Sequence, residues 1–428
     1  MYERHAATTG ETGRSGPLTG FRVLELGSTV AGPFCGRLLA DFGAQVIKVE
    51  PPEGDPLRTM GKQFEGKSLY ATSLLRNREL VAIDLRAEEG RALARRLAAS
   101  CDCLIENFRP GTLEKWGLGY DALSALNPGL VMVRISGFGQ TGPYRERPGY
   151  GVIGEAVSGL RYVTGDPDRP PARVAVSLTD YCTGLYAAFG ATMALLARER
   201  TGVGQCVDAA LYESAFSFME PHVPAFDKLG HVAGRTGSRL PDSTPNNLYI
   251  TQDGEFIHIT AMGDAVFRRL AHAMGAPALA DDRRFASGLA RSEHHDTLDA
   301  LIGEWTGAHT LVELERVLQQ ADVPATRIFT MRDVFADPHF AAREMLVEVK
   351  DEALGTVKMP GIVPKLSRTP GAIHHGGGAV GRDTHAILRD VAKLDEADIA
   401  ALCERHVIRL ASARQRDPLQ RTSSAVAP

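Results

Sequence analysis

One short stretch carries the residue best suited to covalent chemistry. In SLTDYCTGLYAAFG, residues 177–190, a single carboxylate, Asp180, heads a long apolar run. An ionised carboxylate that a substrate can reach is a nucleophile toward an activated carbonyl. The same residue type also caps helices, because Asp at a helix start accepts a backbone N–H bond and favours the dipole. Thr179 is a second capping candidate. A helix N-terminus keeps a carboxyl near or below its ordinary value of about 3.9, which serves both roles. The residues alone therefore leave nucleophile and cap open.

Other chemistries find less support. The thirteen histidines include the adjacent pairs His294–His295 and His374–His375. Neighbours in a strand point to opposite faces, which suits one metal poorly, so no metal site is expected. There is no G-x-S-x-G elbow and no phosphate-binding G-x-x-x-x-G-K-[ST]. The six cysteines, Cys35, Cys101, Cys103, Cys182, Cys206 and Cys403, fit neither a disulfide framework nor a zinc site. They read as thiols in a reducing compartment. A net charge of −4 shows no basic face for nucleic acid or a membrane surface. No apolar run reaches the roughly 18 residues of a membrane span. A cytoplasmic protein is the default expectation, with no nucleic-acid and no membrane partner.

The elements around Asp180 alternate strand and helix. FRVLEL is a buried strand ended by Gly27, and GPFCGRLLADFG a helix with Pro33 in its first turn and Gly43 as its stop. AQVIKVE is the next strand. This βαβ unit predicts a parallel sheet. Its first turn, GSTVAG (27–32), lacks the G-x-G-x-x-G spacing of a dinucleotide site, which disfavours a nicotinamide oxidoreductase. LVAIDL, DCLIENF, LVMVRISGFG and GQCVDAAL continue as strands, with AEEGRALARRLAAS and GVIGEAVSGL as helices. Residues 180–198 are apolar on nearly all sides and predict a helix buried all round. KLGHVAGRTGSRLPDSTPNN (228–247) reads as a loop. It is followed by a strand, EFIHITA, and by helices around 264–275, 293–306 and 310–321. GTVKMPGIVPKLSRTPG is extended, and two last helices could pack back on the first domain. The expected organisation is a disordered leader (1–17), a large domain (18–225), a small domain (235–335), an extended linker and return (336–410) and a disordered tail (411–428).

Five stretches, in order, resemble the family III CoA-transferases, the group of formyl-CoA transferase and CaiB-type enzymes. They are GFRVLELGSTVAGPFCGRLLADFGAQVIKVEPPEGDPLR, LIENFRPGTLEKWGLGYDAL, ISGFGQTGPYRERPGY, SLTDYCTGLYAA and TGVGQCVDAALYESA. The resemblance implies an α/β fold: a Rossmann-like large domain with a parallel sheet, a smaller α+β domain, and an interlocked homodimer. It implies that Asp180 is the active-site aspartate. A donor acyl-CoA would acylate it, and CoA would then convert it to a thioester before passing to an acceptor acid. Neither ATP, metal nor resident cofactor takes part; acyl-CoA and a carboxylic acid are the substrates. Matching positions for coenzyme contacts are Val30, Ala31, Ile83, Asp84, Leu85, Arg86, Asn107, Phe108, Arg109, Lys115, Ser136, Gly137, Phe138 and Gly139. Arg86 and Lys115 would meet phosphates. Glycines of SGFGQTG are candidates for stabilising oxyanions.

The chain departs from formyl-CoA transferase at three points. Val30 replaces a glutamine, Ser136 a lysine, and the glycine-rich lid has no match. Formate and oxalate are thus not the expected pair; a dicarboxylate such as succinate is, with Arg239 a candidate for its distal carboxylate. Two other functions compete. A 2-methylacyl-CoA racemase of the same fold needs a histidine base where this chain has Tyr150. A non-catalytic acyl-CoA-binding scaffold would have no use for Asp180.

Overall fold

The structure is a computed structural model that describes residues 15–411. The expected leader and tail fall, but for their inner residues, outside the described residues. Among these, the chain divides into two compact units. One takes the residues up to Leu160, Val174–Pro221 and those from Ala341 onward; the other takes Arg161–Arg173 and His222–Phe340.

The larger unit is built on a seven-stranded sheet. Its strands are β1 (Arg22–Glu25), β2 (Gln45–Glu50), β3 (Glu79–Ile83), β4 (Cys103–Glu106), β5 (Val131–Ser136), β6 (Cys206–Ala210) and β7 (Ile408–Arg409). Their lateral order is β7-β3-β2-β1-β4-β5-β6. Every pairing is parallel except that of β7 with β3. Runs such as QVIKVE and VMVRIS, with little polar alternation, are what a strand covered on both faces requires. Successive residues serve opposite faces: Val23, Val46 and Val131 pack on one side, Leu24, Ile47 and Met132 on the other. The second face is closed by helices Glu88–Ala98, Thr384–Asp390 and Glu396–Glu404. This order winds outward from β1 to β3, then restarts at β4. The switch point lies between β1 and β4, where open parallel sheets place their ligands, beyond the carboxyl ends of the strands.

The other face carries α1 (Ala31–Asp41) and α3 (Leu178–Thr201), with α2 (Gly151–Val157) preceding α3 and α4 (Leu211–Phe216) following β6. Here one expectation fails. Helix α3 is not buried all round. Its small residues, Gly184, Ala187, Ala188 and Ala191, face inward, while Leu185 (58%), Phe189 (62%) and Met193 (50%) are exposed. Composition shows that both faces are apolar, but only the face with small side chains fits against α1. A Cβ on Gly184 would stand 2.8 Å from the Ala31 carbonyl oxygen.

The smaller unit holds an antiparallel sheet of Asn246–Ile250, Phe256–Thr260 and Ala325–Arg327. It packs on helices Asp264–Ala273, His295–Gly307 and Leu311–Gln320 through Ile257, Phe267, Leu298 and Leu314. The predicted loop 228–247 is shortened at both ends, by a helix at His222–Leu229 and by the first strand. Asn246 and Asn247 are poor strand formers, yet cross-strand pairing overrides propensity. Part of the expected extended segment, Gly355–Pro360, is one arm of a hairpin with Leu346–Asp351.

Candidate active site

Three loops leave the carboxyl ends of β1, β4 and β5. The first, Gly27–Val30, turns straight into α1. Its Thr29 sits at φ +69°, a conformation costly for a β-branched residue. Asn107, just past β4, accepts from the Ser28 N–H (2.8 Å) and donates to the Ser28 carbonyl (2.8 Å). Asp55 accepts from the Thr29 N–H at 3.2 Å, and the Lys48 ammonium donates to the Gly27 carbonyl. Lys48 lies 2.9 Å from Asp55 and 3.4 Å from Glu25, which pairs with Arg78 at 2.7 Å. All four are buried. Burial works against ionised Asp55, but the Lys48 ammonium and the N–H groups of Leu57 and Thr29 outweigh it and hold the carboxyl below its ordinary range.

At the second loop, Glu106 ends β4, accepts from the Phe108 N–H (2.9 Å) and pairs with Arg134 (2.8 Å). Arg134 also holds Glu114 at 2.7 Å. Burial pushes Glu106 up to about 7 despite Arg134. The Phe108 ring meets the Trp116 ring edge-on at 5.2 Å. At the third loop, Ser136 ends β5 and its hydroxyl accepts from the Gly139 N–H at 2.9 Å.

Asp180 is the third residue of α3, not its cap. Ser177 occupies the cap position, without a side-chain cap hydrogen bond. Neither Asp180 nor Thr179 therefore occupies the cap position weighed for them. Gly184, four residues on, shares a face with Asp180 and packs on Ala31, which brings the start of α1 beside the carboxylate. Gly151, at the start of α2, leaves the room: a Cβ there would stand 2.2 Å from Asp180 Oδ2. The half-buried Tyr70, which accepts a hydrogen bond from Tyr181 at 2.8 Å, has its phenol pushed up by burial first, then by Tyr181, with the charge of Asp180 adding to it.

A cavity of about 220 Å³ opens where these parts meet. Asp180 lines it together with Val30, Ala31, Asn107, Phe108, Arg109, Ser136 and Gly137, all singled out from the sequence. Ser28, Thr29, Arg147 and Tyr150, which were not chosen as contacts, line it too. Arg147 was within a quoted motif, ISGFGQTGPYRERPGY, and its charge was the available signal. It lies over the Tyr144 ring, 3.6 Å from the centroid. No histidine is among the lining residues.

The remaining expected contacts lie outside this lining. Phe138 is buried, and Gly139 sits at positive φ. Ile83 is a fully buried core residue at the end of β3. Asp84 accepts from the Arg86 N–H at 2.9 Å. Leu85 packs on the core beneath. The Arg86 side chain is 68% exposed and pairs with Asp84 and Glu53. Lys115 is exposed at the end of helix Thr112–Lys115. Residues 84–86 nevertheless follow the carboxyl end of β3, on the edge of the sheet that carries the cavity. Arg239, in the smaller unit, is paired with Asp296 (3.4 Å) and Asp299 (3.9 Å).

The loops of a doubly wound sheet thus converge on one carboxylate at the switch point of the strand order. The chain belongs to CoA-transferase family III, whose description matches residues 18–384, and it is a CoA-transferase. It is 50% identical over 394 residues to the succinyl-CoA–D-citramalate CoA-transferase of Chloroflexus aurantiacus, covering 92% of this chain and 98% of that one. It is 42% identical over 398 residues to the succinyl-CoA–L-malate CoA-transferase beta subunit of the same organism, with the same coverage. A solved CAIB/BAIF family protein from Brucella suis superposes with a TM-score of 0.78 at 36% identity, covering 88% of this chain and all of that one.

Proposed function

We propose that the enzyme moves CoA from succinyl-CoA to a C4–C5 hydroxydicarboxylate, of the kind named for its relatives, with Asp180 as nucleophile. Asp180 attacks the thioester carbonyl, the C–S bond breaks, and a mixed anhydride and CoA thiolate form. The thiolate attacks the Asp180 carbonyl carbon and succinate leaves, which gives an aspartyl-CoA thioester. The acceptor carboxylate attacks the same carbon and expels the thiolate. The thiolate then attacks the acceptor's carbonyl, and Asp180 is released. Each step exchanges one activated acyl bond for another. Anhydrides hydrolyse in water, so the small cavity and the apolar Val30 serve to keep it out.

What supports this reading is the convergence on Asp180 of the loops after β1, β4 and β5, with Arg109 and Arg147 as the cations of the same cavity. A guanidinium matches a carboxylate in bidentate geometry; Arg147 suits the distal carboxylate of a dicarboxylic acid. The coenzyme runs from the cavity along the sheet edge toward residues 83–86 and Lys115. The test is incubation with succinyl-CoA and hydroxylamine, read by mass spectrometry. A hydroxamate on Asp180, absent in Asp180→Ala, is expected; an unmodified protein that still transfers CoA would overturn it. Deuterium uptake at an acyl α-carbon without an acceptor would point instead to the racemase.

The exposed stripe of α3 supports a second part of the reading, that two copies of this chain associate through it. Phe189→Asp is expected to shift the protein to the monomer in sedimentation velocity.

A further inference from the structure

The row of buried charges beneath the cavity has no part in the reaction as written. Burying ions does little for stability, because desolvation offsets the attraction. Their geometry has a direction, however. Glu25 and Arg78 anchor the row, Lys48 comes next, and Asp55 and Lys48 both end on the backbone of the loop after β1. Asp55 is itself fixed. Its N–H donates to Glu50 at 3.1 Å, its carboxylate accepts from the Leu57 N–H at 2.9 Å, and Glu50 is clamped by Arg58 at 2.6 and 2.7 Å. The motif EPPEGDPLR is thus a rigid shelf. The one residue it grips on the loop, Thr29, is the one in the left-handed region. Such strain persists only where the surroundings over-determine it.

We propose that Asp55 and Lys48 are positioning residues for acyl transfer: they hold Thr29 at positive φ and so fix the Ser28–Ala31 backbone that lines the cavity with Asp180. The inference rests on the reading of Asp180 as nucleophile. Neither side chain lines the cavity, so both act through the loop. The alternative is that the buried charges hold only the core together.

The test pairs Asp55→Asn with a second-site change. Asparagine keeps the shape but loses the charge that holds Lys48. Misplacing reacting groups by about 1 Å costs on the order of 100-fold. The variant is expected to lose roughly 10- to 100-fold in kcat, with KM for succinyl-CoA within about 3-fold. Its hydroxamate at Asp180 should still form, but slowly. Glycine accepts positive φ without strain, so adding Thr29→Gly should restore at least about 10-fold of kcat. Lys48→Met, which keeps the chain length without charge, should show the same loss and the same rescue, and stands in should Asp55→Asn not fold. A kcat that falls only in step with the folded fraction, or no recovery with Thr29→Gly, would overturn the proposal. Full CoA transfer by Asp180→Ala would instead overturn the reading on which it rests.

Discussion

The carboxyl edge of the large sheet has two unlike ends. Around β1, β4 and β5 the loops are locked by buried partners, and a half-buried carboxylate sits where a single added methyl group would collide with it. Beyond β3 the edge is open. Arg86 is mostly exposed and shares its charge with Asp84 and Glu53, and Lys115 stands in solvent. On the proposed function this contrast is a division of labour: the locked end would govern the rate of bond exchange, and the open end how firmly a long, charged coenzyme is held.

The sharpest way to break this contrast is at Asp180. Asp180→Asn keeps the shape and removes the proposed nucleophile; kcat is expected to fall at least about 10⁴-fold in a CoA-exchange assay, and a milder loss would contradict the locked end. Next comes Gly151→Ala. Its new methyl group must push the Asp180 carboxylate aside, and roughly a 100-fold loss in kcat is expected, with little change in thermal midpoint.

The open end should respond differently. Arg86→Ala and Lys115→Ala are each expected to raise KM for succinyl-CoA about 3- to 10-fold while kcat holds. Exposed charge contacts are worth about a kcal/mol or less and are screened by salt. The effect should therefore fade when assays are repeated at high ionic strength. A salt-independent loss in kcat would erase the contrast between the ends.

The smallest effect concerns Glu106, at the border between them. Burial raises its carboxyl from an ordinary 4.5 to about 7 in the folded chain. Its contribution to stability is thus complete below about pH 4.5 and is lost as pH rises through 7. Glu106→Gln should remove that slope, flattening the thermal midpoint between pH 5 and 7 by a few degrees as read by scanning calorimetry.

Much of the frame could be read from the residues. β1, α1 and β2 announce themselves through apolar runs punctuated by Gly27, Pro33 and Gly43, because a strand covered on both faces leaves no polar alternation to misread. The outer stripe of α3 could not be read. Leu185 and Phe189 are as apolar as Ala187 and Ala191, and only size against α1 decides which set faces inward. The strand at Asn246–Ile250 was hidden because its pairing comes from Phe256–Thr260, not from its own propensities. At the site, Asp180 stood out by type, yet that Ser177 and not Asp180 takes the cap position, and that Gly151 leaves room beside the carboxylate, needed the fold. Thr29 was invisible because a backbone angle leaves no trace in residue type unless the residue is glycine. Arg147 was one arginine among several in its motif, and only the fold brings it to the cavity.

The pairing of β7 with β3 has a consequence during synthesis. That pairing, with the bonds that the Leu80 and Ala82 N–H groups donate to Asp383 and Thr384, closes the edge of β3, so a polypeptide halted on the ribosome before residue 383 presents β3 as an uncovered strand edge, a ready template for joining another nascent molecule. Truncated products of this gene should therefore clump and be cleared by quality control, even when the Asp180 pocket itself has already been made.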